Sequence, residues 1–260
     1  MGRAARLLLG PFSLLGLAAV AQIRGEGAAV GFGLLLFLTG VAHGAGDEQG
    51  GAIRPFRLVG AVAYIVAGLA VAALFVAFPL AGLTLFLLLS AWHFAHSSGE
   101  SLARRLGFAL SAIGGSALWR MAETAAVFEA ALGVTPPQGW MVALAAIGSA
   151  GLLLTAWSLA KSWRDTVLWS TIIATAFLHP VLAVGLAFAA GHALPIQQAQ
   201  IRRHGWRDVL AAEGPTTAIA LAGALAMALL VLTNHLALPL AAALAFGMAT
   251  PHMLSERLER

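Results

Sequence analysis

Five histidines lie within or beside long apolar runs of this chain, and they are the residues best suited to chemistry. The chain has 260 residues, is 60% hydrophobic and contains no cysteine. Thiolate zinc sites, iron–sulfur clusters and disulfides are therefore excluded. A polar side chain inside a membrane is costly unless it is paired, whereas neutral imidazole is a good ligand for iron, zinc, copper and nickel. We therefore predict a metal centre whose candidate ligands are His43, His93, His192 and His252, with His96 as a further candidate.

Three of these histidines are each followed, four residues later, by a carboxylate. The pairs are His43 with Asp47, His96 with Glu100, and His252 with Glu256. If each helix continues, the two members of a pair share one face. Metal-bound imidazoles usually donate their second N–H to a carboxylate or carbonyl, so these acids are predicted to orient the ligands. The alternative is that they face water or the nearby arginines.

Aromatic residues accompany the histidines along the chain. They are Trp92, Phe94, Phe188 and Phe246, which are predicted to line an apolar substrate pocket; the alternative is ordinary core or lipid contact.

The elements that position these residues must be membrane helices. Only 10% of the residues are charged, compared with about 25% in soluble domains, which excludes an ordinary soluble enzyme. The apolar runs are long and do not alternate, so the fold class is predicted to be all-α: a polytopic transmembrane helical bundle of about 8–10 spans. Residues 1–260 are predicted to form a single integral membrane domain. The predicted spans are 6–23, 28–45, 57–77, 79–96, 106–132, 139–160, 165–179, 181–198, 215–234 and 237–254.

The dipeptide His179-Pro180 decides the predicted topology, because proline disfavours helix at the residue before it. A break there gives ten spans and puts all cations except Arg24 and Arg120 on the side of both termini. That side is predicted to be cytoplasmic by the positive-inside rule. The protein is thus expected to be a multi-pass protein of the cell's inner (plasma) membrane, with its first helix retained and the five histidines near the cytoplasmic face. The net charge of +4 reports this orientation, and no nucleic-acid binding is expected.

Four strings of residues resemble those of a known family, in order and over roughly residues 30–256. His43-Gly44-Ala45-Gly46-Asp47 resembles the HGxxD motif of the Brp/Blh family of bacterial and archaeal β-carotene 15,15′-dioxygenases. Trp92-His93-Phe94-Ala95 is similar to its aromatic-His-Phe-Gly string. Phe188-Ala189-Ala190-Gly191-His192 stands where that family has an aromatic-rich run ending in Trp-His-Ser. Thr250-Pro251-His252-Met253-Leu254 is similar to its Pro-His-Met segment.

The resemblance implies a membrane enzyme with non-haem Fe(II) held by histidines. It would cleave the central double bond of β-carotene with O2 to give two retinal molecules. His43, His93 and His192 match family histidines proposed as ligands, and His252 matches the Pro-His-Met histidine. The expected partners are a lipophilic carotenoid, O2 and membrane lipid; the oligomeric state is left open.

This chain also departs from the family pattern. Ile196 replaces a second histidine four residues after His192, and Pro195 precedes it. The alternatives are a haem-binding electron-transfer protein, a transporter or metal-ion carrier, and a carotenoid-binding membrane protein without cleavage activity.

Overall fold

The computed structural model describes residues 10–43, 46–49, 52–55, 58–96 and 101–258. Side chains are described at these positions except 41–43, 46–49, 52–55, 58, 96 and 254–258. The helices are, in chain order, α1 (Pro11–Ile23), α2 (Glu26–His43), α3 (Leu58–Ala77), α4 (Pro79–His96), α5 (Leu102–Trp119), α6 (Met121–Leu132), α7 (Gln138–Lys161), α8 (Thr166–Phe177), α9 (Pro180–Phe188), α10 (Leu194–His204), α11 (Trp206–Leu232) and α12 (Leu238–Leu258). A π-helical turn, Ala189–Ala193, joins α9 to α10.

The all-α membrane class is confirmed. Four described helical segments are long and apolar enough to cross a membrane, namely Val59–Ala77, Gln138–Lys161, Pro180–His204 and Trp206–Leu232. Shorter apolar helices lie between them in the sequence. The exact number of spans stays a prediction.

A short antiparallel hairpin follows α2. Strand β1 (Gly46–Gln49) pairs with β2 (Ala52–Pro55), and Asp47 is opposite Arg54. The hairpin was not predicted, although Gly-Gly stands between the strands in the sequence and is typical of tight hairpins.

The chain divides into two compact units, each assembled from three segments. The first contains residues 1–40, 90–127 and 136–196, and the second contains 41–89, 128–135 and 197–260. The prediction of a single membrane domain is not tested by this division and stays a prediction.

In the first unit, α5 packs closely against α7 through small residues. A Cβ atom on Gly114 would overlap the backbone of Gly148, so only glycine permits this separation. One helical turn away, the buried hydroxyls of Ser111 and Thr155 hydrogen-bond at 3.2 Å. In lipid, burial of apolar surface does not drive helices to associate. Close packing of small residues and hydrogen bonds between hydroxyl groups stabilise the contact instead.

In the second unit, α3 packs against α12, again through glycine. A Cβ atom on Gly247 would lie 2.5 Å from the carbonyl oxygen of Gly68, and one on Gly68 would lie 2.8 Å from the sulfur of Met248. The Tyr64 hydroxyl donates to the Met248 carbonyl at 2.6 Å and fixes the two helices in register.

Three predicted spans differ from the structure. The span 106–132 was predicted as one helix, which is wrong: α5 ends at Trp119 and α6 begins at Met121, with Arg120 in a non-helical conformation between them. The span 181–198 extends to His204 and contains the π turn. The span predicted from 215 begins at Trp206, because Pro215 lies inside α11 and costs one backbone hydrogen bond without ending it.

The predicted break at His179-Pro180 is confirmed. Helix α8 ends at Phe177, α9 begins at Pro180, and the two helices contact each other.

Candidate functional site

Two of the predicted ligand histidines lie side by side in the first unit. His93 is in the last turn of α4 and His192 is in the π turn. Their ring centroids are 4.4 Å apart, with the ring planes at 61°. Both residues are buried, with 3% and 1% of their surface exposed. The fold thus brings together two imidazoles that are distant in the sequence and shields both from the surroundings.

Phenylalanine rings surround this pair. Phe94 and Phe188 lie 5.1 and 5.6 Å from the His192 ring and 5.9 Å from each other. Phe108 extends the cluster beyond Phe94 at 6.1 Å, and Phe37 stacks on Phe188 at 5.6 Å. We call these four phenylalanines the aromatic cage. It gives the histidines an apolar setting in which a polyene would be compatible and bulk water would not.

The π turn determines the position of His192 in the helical segment. The backbone N–H of Leu194 donates to the carbonyl of Ala189, five residues back. The next residue, Pro195, has no N–H, and in a regular α-helix its ring would clash with the carbonyl four residues earlier, at Gly191. The wider turn removes that conflict within a continuous helical segment. Turns of this kind are frequent at functional sites.

Two glycines make room for the aromatic cage. A Cβ atom on Gly191 would overlap the Phe108 ring and lie 3.1 Å from a methyl group of Val167. A Cβ atom on Gly40 would overlap the Phe188 ring.

The second unit contains His252, in the C-terminal half of α12. Pro251 precedes it and removes one backbone donor from the helix. The Tyr64 hydroxyl of α3 donates to the carbonyl of Met248, four residues before His252 on α12. The position of His252 is therefore tied to α3.

The predicted pocket residues fall into different environments. Phe94 and Phe188 belong to the aromatic cage. Trp92 is 37% exposed on α4. Phe246 packs against Phe86 and Phe75 of the second unit with tilted rings, at 4.5 and 5.4 Å between ring centroids. Whether any of these residues contacts a substrate stays a prediction.

Several predicted site residues lie outside the described side chains. They are His43, Asp47, His96, Glu100 and Glu256. The backbone nevertheless settles one relationship: α2 ends at His43, whereas Asp47 is in β1. The expectation that these two residues share a helical face is wrong, because the helix does not continue. Helix α12 does continue past His252 to Leu258, which keeps the helical spacing of His252 and Glu256.

The His93–His192 pair fits a transition-metal site by its donor chemistry. Buried imidazoles at this separation can approach one ion from adjacent directions, and imidazole is a ligand that suits iron. Among the residues whose side chains are described, no cluster of three histidine or carboxylate groups has metal-binding geometry. The further ligands, predicted as His43, His252 or His96, stay predictions.

A polar cluster where α8 meets α9 surrounds another histidine, His179. Its backbone N–H donates to the Gln22 side chain at 2.9 Å, and its Nε2 lies 3.9 Å from a carboxylate oxygen of Glu26. Burial lowers the pKa of His179 below its usual value of 6.5; Glu26 and Glu123 oppose this shift, and Arg120 adds to it. Arg120 forms an ion pair with Glu123 and donates to the Phe177 carbonyl at 3.2 Å.

The aromatic cage could be predicted only in part from the sequence. Phe108 and Phe37 lie far from any histidine string, and no sequence signal singled them out. Gly191 stands directly before His192 and four residues before Pro195, and a glycine beside a candidate ligand is a position where another helix can approach closely.

Residues 34–258 match a protein family model whose description is beta-carotene 15,15′-dioxygenase. The match includes His93, His192, His252 and the whole aromatic cage. Neither the curated proteins nor the solved structures gave a significant match.

Proposed function

Because this chain belongs to the β-carotene 15,15′-dioxygenase family, we propose that it cleaves the central double bond of β-carotene with O2 and releases two molecules of retinal. The reaction breaks one carbon–carbon double bond, and each of its two carbons gains one oxygen atom of O2 as an aldehyde. The observation that carries the proposal is the buried His93–His192 pair inside the aromatic cage, within the matched residues.

The metal that we propose for the site is non-haem Fe(II). His93 and His192 would hold it through neutral imidazole nitrogens, with His43, His252 or His96 as further ligands. Bound Fe(II) would supply the activation of O2 that a polyene requires. Asp47, Glu100 and Glu256 are proposed to fix the orientation of ligand imidazoles through their second N–H groups.

The protein side chains have three tasks in this proposal. The aromatic cage holds the two histidines in fixed orientations by packing on their rings. It excludes water, which limits side reactions of activated oxygen. It also gives a hydrocarbon substrate dispersion contacts in place of hydrogen bonds, which suits a molecule without polar groups. Trp92 and Phe246 are proposed as additional contacts of the carotenoid.

A carotenoid dissolves in lipid, so a membrane enzyme can receive it directly from the bilayer. We infer a multi-pass arrangement in the inner membrane, with the histidines near the cytoplasmic face. The distribution of arginines along the sequence supports this orientation.

The test is to incubate the purified protein with Fe(II), β-carotene and O2 and to separate the products by chromatography. Retinal as the product of central cleavage supports the proposal. Unchanged carotenoid that co-purifies with folded, iron-loaded protein would instead indicate a binding protein without cleavage activity. A haem absorption band in the purified protein would indicate electron transfer.

A further inference from the structure

A cleft in the first unit, distinct from the aromatic cage, has the composition of a headgroup site. It lies where the N-terminus of α5 meets the C-terminus of α7 and has a volume of about 420 Å³. Its lining includes Ser101, Arg104, Trp157, Ser158, Lys161 and Asp165. Clefts of this volume are of the size that binds small ligands.

The side chain of Arg104 is held in place at the wall of the cleft. Arg104 makes a two-pronged ion pair with Asp165, at 2.6 and 3.3 Å. Asp165 also accepts the backbone N–H groups of Val167 and Leu168 at the start of α8, both at 3.1 Å. Because the carboxylate is fixed by α8, the guanidinium is fixed at the wall of the cleft.

Lys161 is the second cation and the only lysine of the chain. Its ammonium lies 4.7 Å from the centre of the Trp157 ring, one helical turn away. No acidic residue occupies the first turn of α5, and Ser101, Ala103 and Arg104 at this end of the helix line the same cleft. An ammonium group and serine hydroxyls around one space, here those of Lys161, Ser101 and Ser162, are groups that bind phosphate oxygens.

The surroundings point to a lipid source for that phosphate. Trp157, Trp163 and Trp169 are 59%, 70% and 41% exposed, and Arg164 stacks on Trp163 at 5.1 Å. In a membrane protein, exposed tryptophans beside arginine and lysine mark the level of the lipid headgroups. The cleft is therefore expected to open where phospholipid phosphates are most concentrated.

We propose that this cleft binds the phosphate group of an anionic phospholipid, with Lys161 as its main contact and the fixed Arg104–Asp165 pair as its wall. The inference is independent of the proposed catalytic activity and of the metal site. The lipid acyl chains would lie along the exposed Trp157 ring.

The first experiment counts lipids that remain bound to the purified protein by native mass spectrometry. The lipids are phosphatidylglycerol and phosphatidylcholine with identical acyl chains. Wild-type protein should retain phosphatidylglycerol, and Lys161→Gln should weaken its binding about tenfold, the effect of losing one charge-assisted contact. Arg164→Gln is the matched control, because it removes one positive charge from the same surface but not from the cleft. If both variants lose the same amount of phosphatidylglycerol binding, the binding depends only on the charge of the surface, and the proposal is overturned.

The second experiment uses the single lysine. An amine-acylating reagent is applied in detergent, and modification of Lys161 is quantified by peptide mass spectrometry. Phosphatidylglycerol should slow acylation several-fold, whereas phosphatidylcholine should not. If inorganic phosphate protects Lys161 at the same concentration as the lipid does, the site binds free phosphate and the lipid assignment fails. Lys161→Arg should retain lipid binding, and a loss there would also contradict the proposal.

Discussion

The packing of Gly191 on the Phe108 ring allows a sharp test of how the His93–His192 pair is held. The substitution Gly191→Ala adds one methyl group that would overlap this ring. Phe108 is only 2% exposed, and Val167 stands 3.1 Å from the added atom on another side. Neither the ring nor the new methyl group can move into open space, so the local structure must shift.

Overpacking of this kind costs about 2 kcal/mol. For a chain of this size, such a cost lowers Tm by roughly 4–8 °C. Because His192 is the next residue, the shift should also disturb its contact with His93 and reduce iron retention. The assay is thermal unfolding in detergent, together with the iron content of the purified variant.

Two further variants make this prediction specific. Phe108→Leu in the Gly191→Ala background removes the colliding ring and should recover part of the loss, so the two substitutions should couple favourably. Gly223→Ala, at a helical glycine with nothing near its added methyl group, should be neutral or stabilising. The reasoning is refuted if Gly191→Ala is as harmless as Gly223→Ala, or if Phe108→Leu adds to its damage without any compensation.

Two other predictions concern polar groups outside the aromatic cage. The pKa of His179 is lowered by burial, so the unfolded chain binds a proton at higher pH than the folded one. The contribution of neutral His179 to stability is therefore complete above pH of about 6.5 and is lost as the pH falls below that value. The Tm of wild-type protein should drop more between pH 7.5 and 5.5 than the Tm of His179→Asn. Equal drops in the two proteins would contradict this role of His179. Asp165→Asn keeps the N-terminal cap of α8 but loses the ion pair with Arg104, so it should lower the free energy of unfolding by about 1 kcal/mol. Asp165→Ala loses both interactions and should lower it by about 2 kcal/mol. Equal melting temperatures for the two variants would show that the cap does not contribute to stability.

The sequence predicts the helix ends of this protein well where chemistry marks them. Helix α4 ends at His96, the predicted end of its span, and a break occurs at His179-Pro180. These ends follow from local rules, since proline and the limits of an apolar run act within a few residues.

The break at Arg120 has no such local signal. It has neither glycine nor proline, and its geometry depends on a carbonyl of α8, at Phe177, to which the Arg120 side chain donates. A contact between segments so distant in the sequence cannot be inferred from spacing within one helix. The hairpin after α2 is a related case, because the predicted helical pairing of His43 with Asp47 assumed that the helix continues past the apolar run, whereas Asp47 lies in β1.

In the candidate site, too, some features could be predicted from the sequence and others could not. That His93 and His192 meet was predicted from topology and from the cost of burying unpaired imidazoles. Phe94 and Phe188 contact the histidine rings, and Phe108 of α5 and Phe37 of α2 pack behind them. Gly191 and Gly40 leave room for the Phe108 and Phe188 rings. Such packing depends on side-chain shapes across helices, which periodicity does not encode.

The most direct test of the central claim is the iron content of purified His192→Ala, measured beside wild-type protein and His235→Ala. His235 is an exposed histidine of the turn between α11 and α12 and serves as the matched control. Wild-type protein and His235→Ala should bind iron stoichiometrically, and His192→Ala should lose it while keeping its helical content. If His192→Ala retains iron as wild type does, or if folded wild-type protein binds none, the buried histidine pair is not the metal centre.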